Sequence, residues 1–360
     1  MLRIFLQFFG GLAIVLTLFR FIALDYWWVR MFDFPHVQLT VLVGVALATY
    51  FLRFDRTWKK DYVFVLMLAG CFIYQLVRII PFTPIASFEV LENTEENPNQ
   101  QLSFYAANVL QKNEKREPLL QQIPELNADI LLFMETDTQW QTEISAVVPD
   151  SYRFRVEYPL DNTYGMLLYS KKELLNPEVK FMVDDSIPSI HAKVRLENNE
   201  LIQLYAIHPT PPMPMHNPMS TDRDKEMMLT ASLARTSKLP VVVIGDFNDV
   251  AWSQTTRLFQ NVSELLDPRK GRGFYNTYNA NNPLLRWPLD HLFVSKEFRV
   301  IAIEQGKDIH SDHFPIYAKI SLEPEGAKEQ APEPPTQQEL KDAQEQIEGN
   351  NFNLSIDLLQ

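Results

Sequence analysis

The stretch PVVVIGDFN, Pro240 to Asn248, decides how the rest of this chain is read. Its first half is apolar at every position from Val241 to Ile244. A strand with one wet face alternates, so an unbroken apolar run signals a strand covered on both faces. The run ends abruptly in Gly245, Asp246, Phe247 and Asn248, a set of polar and turn-forming residues at a strand end. The same grammar recurs outward in both directions. LSFYAANVL leads to Asn108, ADILLFME to Glu135 and LIQLYAIH to His208. WPLDH presents Asp290, and HSDHFPI presents Asp312 and His313. GMLLYSK, HAKVRL, DHLFVS and FPIYAKI add further short strands. Between them, Thr221 and Asp224 have capping-box spacing and predict a helix through about Arg235, and Ser253 to Gln260 predicts a shorter one. Many strands with few helices imply two packed sheets with helices outside them.

The polar strand ends share a chemistry. Carboxylate and amide oxygens suit a hard cation such as Mg2+, which prefers few protein ligands and keeps its waters. Histidines beside them supply proton-transfer and hydrogen-bonding groups near neutral pH. Each element alone has a bland explanation: Glu135 as a solvated strand end, GDFN as a plain turn, a lone histidine as a structural one. Their recurrence at the same end of successive apolar strands is what points to a site.

In order and spacing, Asn108, Glu135, His208, the GDFN motif, Leu289-Asp290-His291 and Ser311-Asp312-His313 resemble the endonuclease/exonuclease/phosphatase family. That family includes DNase I, abasic-site endonucleases, neutral sphingomyelinases and inositol-polyphosphate phosphatases. The resemblance covers roughly residues 100–321, and GDFN and SDH are its most specific motifs. It implies an α/β (α+β) fold, a four-layer αββα sandwich of the DNase I-like type. It also implies a Mg2+- or Mn2+-dependent phosphoric ester hydrolase. Glu135 is then expected to bind the metal, with Asn108 supporting it and Asp312 shaping the metal site. Asp246 and Asn248 would orient the attacking water and contact the phosphate. His208 would bond the phosphate oxygens, and His313, oriented by Asp290, would be the second catalytic histidine. The implied reaction is in-line attack of water on phosphorus without a covalent intermediate.

The loop after His208, PTPPMPMHNP, departs from the DNA-cutting members and is similar to that of bacterial membrane-linked members. His191, His216 and His310 match no family position and are expected to be structural. His291 should point away from Asp290 if both lie on one strand. Between GDFN and Asp290, the segment LLDPRKGRGFYNTYNANNPLLRW clusters Arg269, Lys270 and Arg272, followed by Phe274, Tyr275, Tyr278 and Trp287. Two readings stay open for it: a substrate-binding rim, or a solvated loop with turn glycines and core aromatics.

Outside this domain the composition changes. Residues 1–81 carry 8 Lys+Arg against 4 Asp+Glu, whereas residues 322–360 carry 2 against 9. The remaining 23 against 32 leave residues 82–321 acidic, which argues against a broad basic groove along nucleic acid. Three apolar stretches, Ile4 to Leu24, Val37 to Leu52 and Tyr62 to Ile80, predict membrane-spanning helices in residues 1–81. Tyr26, Trp27 and Trp28 form an interfacial belt. A cleaved signal peptide is disfavoured, because no small-residue cleavage site follows Leu24 and two more spans come after. Arg53, Arg56, Lys59 and Lys60 in the second loop place that loop in the cytoplasm, hence the catalytic domain outside. Residues 82–100 read as a linker, residues 101–321 as the catalytic domain, and residues 322–360 as an acidic, largely disordered tail with a short helix around Glu339 to Ile347. Cys71 stands alone, so neither an intramolecular disulfide nor a thiolate zinc site is available. The expected partners are the bilayer and a phosphoester substrate, whether nucleic acid, lipid or small molecule; no protein partner is inferable. The readings are a membrane-anchored phosphodiesterase or nuclease, a lipid-directed phosphoesterase, and a non-enzymatic tethered binding module.

Overall fold

A computed structural model describes residues 1–22, 25–213 and 217–348. The strands are β1 Gln101–Asn108, β2 Ile130–Met134, β3 Phe154–Tyr158, β4 Met166–Ser170, β5 Leu174–Lys180, β6 Ser189–Arg195, β7 Leu201–Ile207, β8 Val241–Asp246, β9 Asp290–Val294, β10 Phe298–Gln305 and β11 Ile316–Leu322. They form a six-stranded sheet, β10-β11-β1-β2-β4-β3, and a five-stranded sheet, β5-β6-β7-β8-β9. Only β1–β2 and β7–β8 pair in parallel. Parallel neighbours need a crossover, and here helices supply it: α5 Glu117–Gln122 in the first sheet and α7 Thr221–Thr236 in the second. Each crossover brings two strand C-termini side by side at one end of the sandwich. Those ends carry Asn108, Glu135, His208 and Asp246.

The inner faces of both sheets meet in one core built from alternate residues, such as Phe104 and Ala106 of β1, Leu204 and Ala206 of β7, and Val242 and Ile244 of β8. The opposite residues face helices. Tyr105, Leu131 and Phe133 pack on Trp140 and Ile144 of α6 Thr138–Val147, while Tyr205, Val243 and Phe293 pack on α7 and α8 Gln254–Ser263. The result is a four-layer α/β/β/α sandwich, as the apolar runs implied.

Ahead of it stand α1 Leu2–Leu18, the single-turn α2 Trp27–Arg30, α3 His36–Tyr50 and α4 Lys59–Ile79. With their flanking turns, Leu2–Phe21, His36–Arg53 and Lys59–Phe82 are each long and apolar enough to cross a membrane. They pack on one another through Ala13, Val43, Ala46 and Leu68, yet leave Ile4, Phe8 and Leu66 about 70 % exposed. A helix apolar on its outer face as well as its inner one suits hydrocarbon rather than water. Residues 23 and 24, the end of the first expected span, lie outside the described residues.

Three expectations are corrected here. Residues 82–100 are not a free linker: Phe82 and Val90 are buried, and Glu92 bridges Val300 of β10. The acidic tail is ordered as far as residue 348. Pro324–Gln330 makes a 3-10 turn over Arg299, and α9 Gln337–Glu348 lays Leu340, Ala343 and Ile347 on the α7–α8 layer. The last twelve residues lie outside the description. In α7, the helix starts where predicted, at Thr221, but Ser220 is its N-cap, and Asp224 accepts from Ser220 Oγ and from Arg223 rather than pairing with Thr221.

Candidate active site

Gly245 sets the geometry of the strand end. Its φ is +148°, and a Cβ there would lie 1.9 Å from the carbonyl oxygen of Ile207, so β8 can run this close to β7 only with glycine. Gly165 does the same for the Glu135 turn, where a Cβ would meet the Thr136 oxygen at 1.8 Å. Glu135 and Asn248 themselves have φ of 60° and 51°. Non-glycine residues in the left-handed region cost energy and persist where the surroundings fix them, commonly at functional sites.

One amide joins the two sheets. Asn108 Nδ2 on β1 donates to Glu135 Oε1 at 2.9 Å and to Asp246 Oδ2 on β8 at 3.0 Å. Its oxygen accepts from Leu110 N at 3.0 Å, so the side chain is locked. Asp246 Oδ1 accepts from Asn248 N at 2.9 Å, and Asn248 Nδ2 donates to the Pro209 carbonyl at 3.0 Å, which ties the GDFN turn to the loop after His208. Asp290 lies opposite Asp246 in the β8–β9 ladder. It holds His313 Nδ1 at 2.8 Å, leaving His313 Nε2 3.6 Å from Asp246 Oδ2. His208 Nε2 approaches the same oxygen at 3.9 Å. Ligand-capable atoms of Asp246, Asp290 and His313 lie within 4.8 Å of one another. Ser311 Oγ donates to the Asn108 carbonyl and accepts from His313 N, stitching the SDH turn to β1.

Burial shapes the electrostatics. It pushes the carboxyls of Glu135 and Asp246 up, with neighbouring carboxylates adding to the effect. It also lowers His208, against the pull of Asp246. Burial would lower His313 too, but Asp290 and Asp246 outweigh it and push that imidazole up to about 10. One histidine is therefore neutral and the other cationic at neutral pH, an arrangement that separates two proton-handling roles. Asp290 Oδ1 and His208 Nδ1 are buried and have no hydrogen-bond partner among the described residues. An oxygen donor such as Asp290 Oδ1, with unspent bonding capacity, fits a hard divalent cation.

The structure thus brings together Asn108, Glu135, His208, Asp246, Asn248, Asp290 and His313. Asp312 lies beside them: its carbonyl accepts from Ala280 N at 2.7 Å, and its charge acts on both Glu135 and His313. The three basic residues of the proposed rim are paired within the fold. Arg269 is fully buried behind the site, paired to Asp267 at 2.7 Å and bonded to His291 Nδ1 at 2.6 Å. Lys270 bonds Glu89 and Gln260, and Arg272 stacks on Phe88 and donates to the Pro268 carbonyl. Lys270 and Arg272 thus fasten residues 82–92 to the sandwich, while Arg269 belongs to the rear cluster. His291 points to that rear layer, as strand alternation required, and its Nε2 donates to the Asp249 carbonyl at 2.8 Å. His191 packs on Tyr205, His310 is exposed, and His216 lies outside the described residues.

Sequence reading missed Tyr164 and Asp249, and named Tyr278 only as an aromatic of the proposed rim. Tyr164 packs on His208 with ring centroids 5.5 Å apart, and Tyr278 on His313 at 5.0 Å. Tyr164 had no local signal. Asp249, next to GDFN, pairs with buried Arg223 at 3.4 Å, and Arg223 Nη1 also donates to the Asn248 carbonyl. Its adjacency to the motif was the available clue.

Comparison with known proteins identifies the family and the fold. The endonuclease/exonuclease/phosphatase family model matches residues 102–313. The chain belongs to that family. No curated protein matches it in sequence. Among solved structures, it is similar to zebrafish (D. rerio) TDP2 complexed with a single-strand DNA product, at 15 % identity over 62 % of this chain and 99 % of that one, TM-score 0.51. It is also similar to the human Nocturnin catalytic domain with bound sulfate, at 16 % identity over 66 % and 97 %, TM-score 0.50. A functionally unknown conserved protein from Enterococcus faecalis V583 shares 14 % identity over 62 % and 100 %, TM-score 0.51. At these identities the likeness is one of fold. The family match spans residues 102–313, and α1 to α4 and α9 lie outside it.

Proposed function

We propose that this protein is a membrane-anchored phosphoester hydrolase that uses a divalent cation, Mg2+ or Mn2+. The observation that carries the reading is the Asn108 amide holding Glu135 and Asp246 together beside the Asp290–His313 pair. Such a wall of buried carboxylates is costly unless a cation compensates it, and the unpartnered Asp290 Oδ1 shows donor capacity left over. Glu135 would hold the cation, with Asn108 fixing its carboxylate and Asp312 adding charge. When bound, the cation offsets the charge that grows on the phosphoryl oxygens.

The chain's own residues do the rest. Asp246, fixed by Asn248 N and Asn108 Nδ2, orients water and draws its proton. His313, held by Asp290, donates from Nε2 to a phosphoryl oxygen, and His208, beside the same Asp246 oxygen, donates to another. Asn248 keeps the turn and the Pro209 loop at one spacing. A binding module would not need two oriented histidines around one carboxylate.

The anchor reading adds a side. The catalytic domain packs on the α1–α3 connection and on Phe82, which lie at the end of the helical bundle opposite the Arg53 to Lys60 loop. With that basic loop cytoplasmic, the catalytic domain is outside. Two experiments test the proposal. The full chain should hydrolyse bis-p-nitrophenyl phosphate with Mg2+ or Mn2+ and stop with chelator; full activity in chelator overturns the metal role. Reporter fusions after residue 100 should score as extracytoplasmic and fusions at Arg56 as cytoplasmic, and the reverse pattern overturns the orientation.

A further inference from the structure

The two loops that wall the cleft are both fastened to the membrane part of the chain. On the His208 side, Trp27 N donates to the Pro218 carbonyl and Ser220 N to the Asp25 carbonyl, each at 2.8 Å. On the His313 side, Phe34 sits edge-on to Trp287 at 5.6 Å, and Trp287 pairs with Tyr278, the residue packed on His313. Gln38 of α3 donates to the Leu284 carbonyl at 2.9 Å. The catalytic cleft is therefore held at the level where the apolar helices end.

A groove of about 640 Å³ opens beside Glu135, lined by polar residues of the cleft such as Gln111, Lys112 and Thr163. A second, of about 860 Å³, is of another character. Its walls are mostly apolar, Val37 and Val41 of α3 on one side and Phe274, Leu284 and Leu285 of the catalytic domain on the other, with the polar Gln38, Asn276, Arg286 and Gln305 among them. Leu284 is 78 % exposed and Val41 63 %, large apolar side chains facing outward where a water-soluble surface would carry polar ones. Val41 belongs to a helix long and apolar enough to span a bilayer, so the groove is continuous with the hydrocarbon-facing surface. The loop forming its far wall runs straight into the site: Ala280 N donates to the Asp312 carbonyl and Phe314 N to the Thr277 carbonyl. Its volume falls within the roughly 300–1,000 Å³ of sites that take small organic ligands.

We propose that the substrate is a phosphodiester carried by a membrane lipid, whose hydrocarbon chain lies in the groove between α3 and the Leu284–Leu285 loop while its phosphate reaches the cleft. This rests on the hydrolytic reading above and names the substrate class. In the reaction a water oxygen bonds to phosphorus, the bond to the leaving alcohol's oxygen breaks, and that oxygen takes the proton that water loses. The acidic domain fits this choice, because a chain held in an apolar groove needs no basic track to bring it in.

The test uses the full chain reconstituted into vesicles of dioleoylphosphatidylethanolamine, dioleoylphosphatidylglycerol and sphingomyelin, with Mg2+. Products are read by mass spectrometry beside three water-soluble probes: the dihexanoyl analogues, bis-p-nitrophenyl phosphate and single-stranded DNA. Hydrolysis of at least one long-chain lipid, tenfold or more faster than its dihexanoyl analogue or DNA, is the expected result. Leu284→Asp should reduce the long-chain to short-chain ratio at least fivefold. Cleavage of bis-p-nitrophenyl phosphate without cleavage of any vesicle lipid overturns the lipid assignment and leaves the hydrolase standing. A ratio near one, a preference for DNA, or a ratio unmoved in a folded Leu284→Asp protein overturns it too. Loss of every activity, the soluble diester included, overturns the hydrolytic reading itself.

Discussion

Asp290 and His291 are consecutive residues of β9, and they belong to opposite kinds of polar cluster. Asp290 faces the cleft, where it holds His313 with one oxygen and leaves the other unpartnered. His291 faces the rear, where its two ring nitrogens meet Arg269 and the Asp249 carbonyl. The rear cluster is closed. Arg269 spends its guanidinium on Asp267, His291 and the Asp290 carbonyl. Both clusters are buried and charged, so neither burial nor charge separates a site from a strut. Between these two clusters spare bonding capacity does: among the described residues the cleft keeps some, whereas Arg269, Asp267 and His291 keep none.

The hardest blow to that contrast is a pair of cleft variants. Glu135→Gln and Asp246→Asn should each lower kcat on bis-p-nitrophenyl phosphate by about 10²–10⁴-fold, the span seen for proton-transfer and charge-stabilising groups. Their circular dichroism should match the parent protein, because each amide keeps the shape and removes a buried charge. Near-parental kcat in either variant would break the assignment of the cleft as the site.

Arg269→Ala should behave in the opposite way. Removing one member of a buried ion pair costs about 3–5 kcal/mol, since Asp267 is left charged and uncompensated. For a domain of this size that lowers Tm by roughly 10 °C. Arg269→Lys should recover little of it, because an ammonium cannot reproduce the planar fork that reaches Asp267 through two nitrogens. The check is a thermal melt followed by kinetics on the folded fraction. A protein of parental Tm with a salt-dependent rise in KM would restore Arg269 to the substrate rim.

A third variant probes a buried carboxyl of α7. Glu226 of α7 is buried with an unpartnered Oε1, and burial pushes its carboxyl up to about 8. The folded value is raised, so folding holds a proton that the unfolded chain releases near pH 4.5. The stability this gives is complete below pH 4.5 and drains away as pH rises toward 8, by up to about 1.4 kcal/mol per pH unit. Glu226→Gln should flatten that slope and raise Tm by several degrees at pH 8, with little change at pH 4.5. Parallel Tm–pH curves for the two proteins would refute it.

The sequence made the central strands and their polar ends legible, because a strand covered on both faces must be apolar throughout and a polar residue then stands out. It hid β3, β5 and β10, and all three are edge strands. β5 shows why: from Leu175 to Lys180 it is partly or fully exposed, and it contains Pro177, so its pattern is that of a loop. In the tail, Leu340, Ala343 and Ile347 already had the spacing of a helix face, but the surrounding acids and glutamines outweighed it in a reading by composition. Arg269, Lys270 and Arg272 failed for a further reason. A basic cluster is visible in one dimension, whereas Glu89, which neutralises Lys270, lies 181 positions away.

That separation makes the smallest prediction the most discriminating. Lys270 and Arg272 sit at the boundary between the two kinds of cluster: near the surface, basic, and one strand's start away from Asp290. Lys270 Nζ lies 2.8 Å from Glu89 Oε1 and 2.7 Å from Gln260 Oε1, and its side chain is 21 % exposed. A half-exposed pair of that kind is worth about 0–1 kcal/mol. Arg272 lies 4.1 Å over the Phe88 ring, a contact worth roughly 0.5–1 kcal/mol near a surface. Both fasten residues 82–92 to the sandwich, so Lys270→Ala with Arg272→Ala should lower Tm by only a few degrees. KM should stay within about twofold of the parent value at both low and high salt, because a screened attraction is the only route by which these charges could act on an anion at a distance. A KM that rises severalfold at low salt and converges with the parent at high salt would show that the substrate feels them. The closed cluster would then be open at its edge.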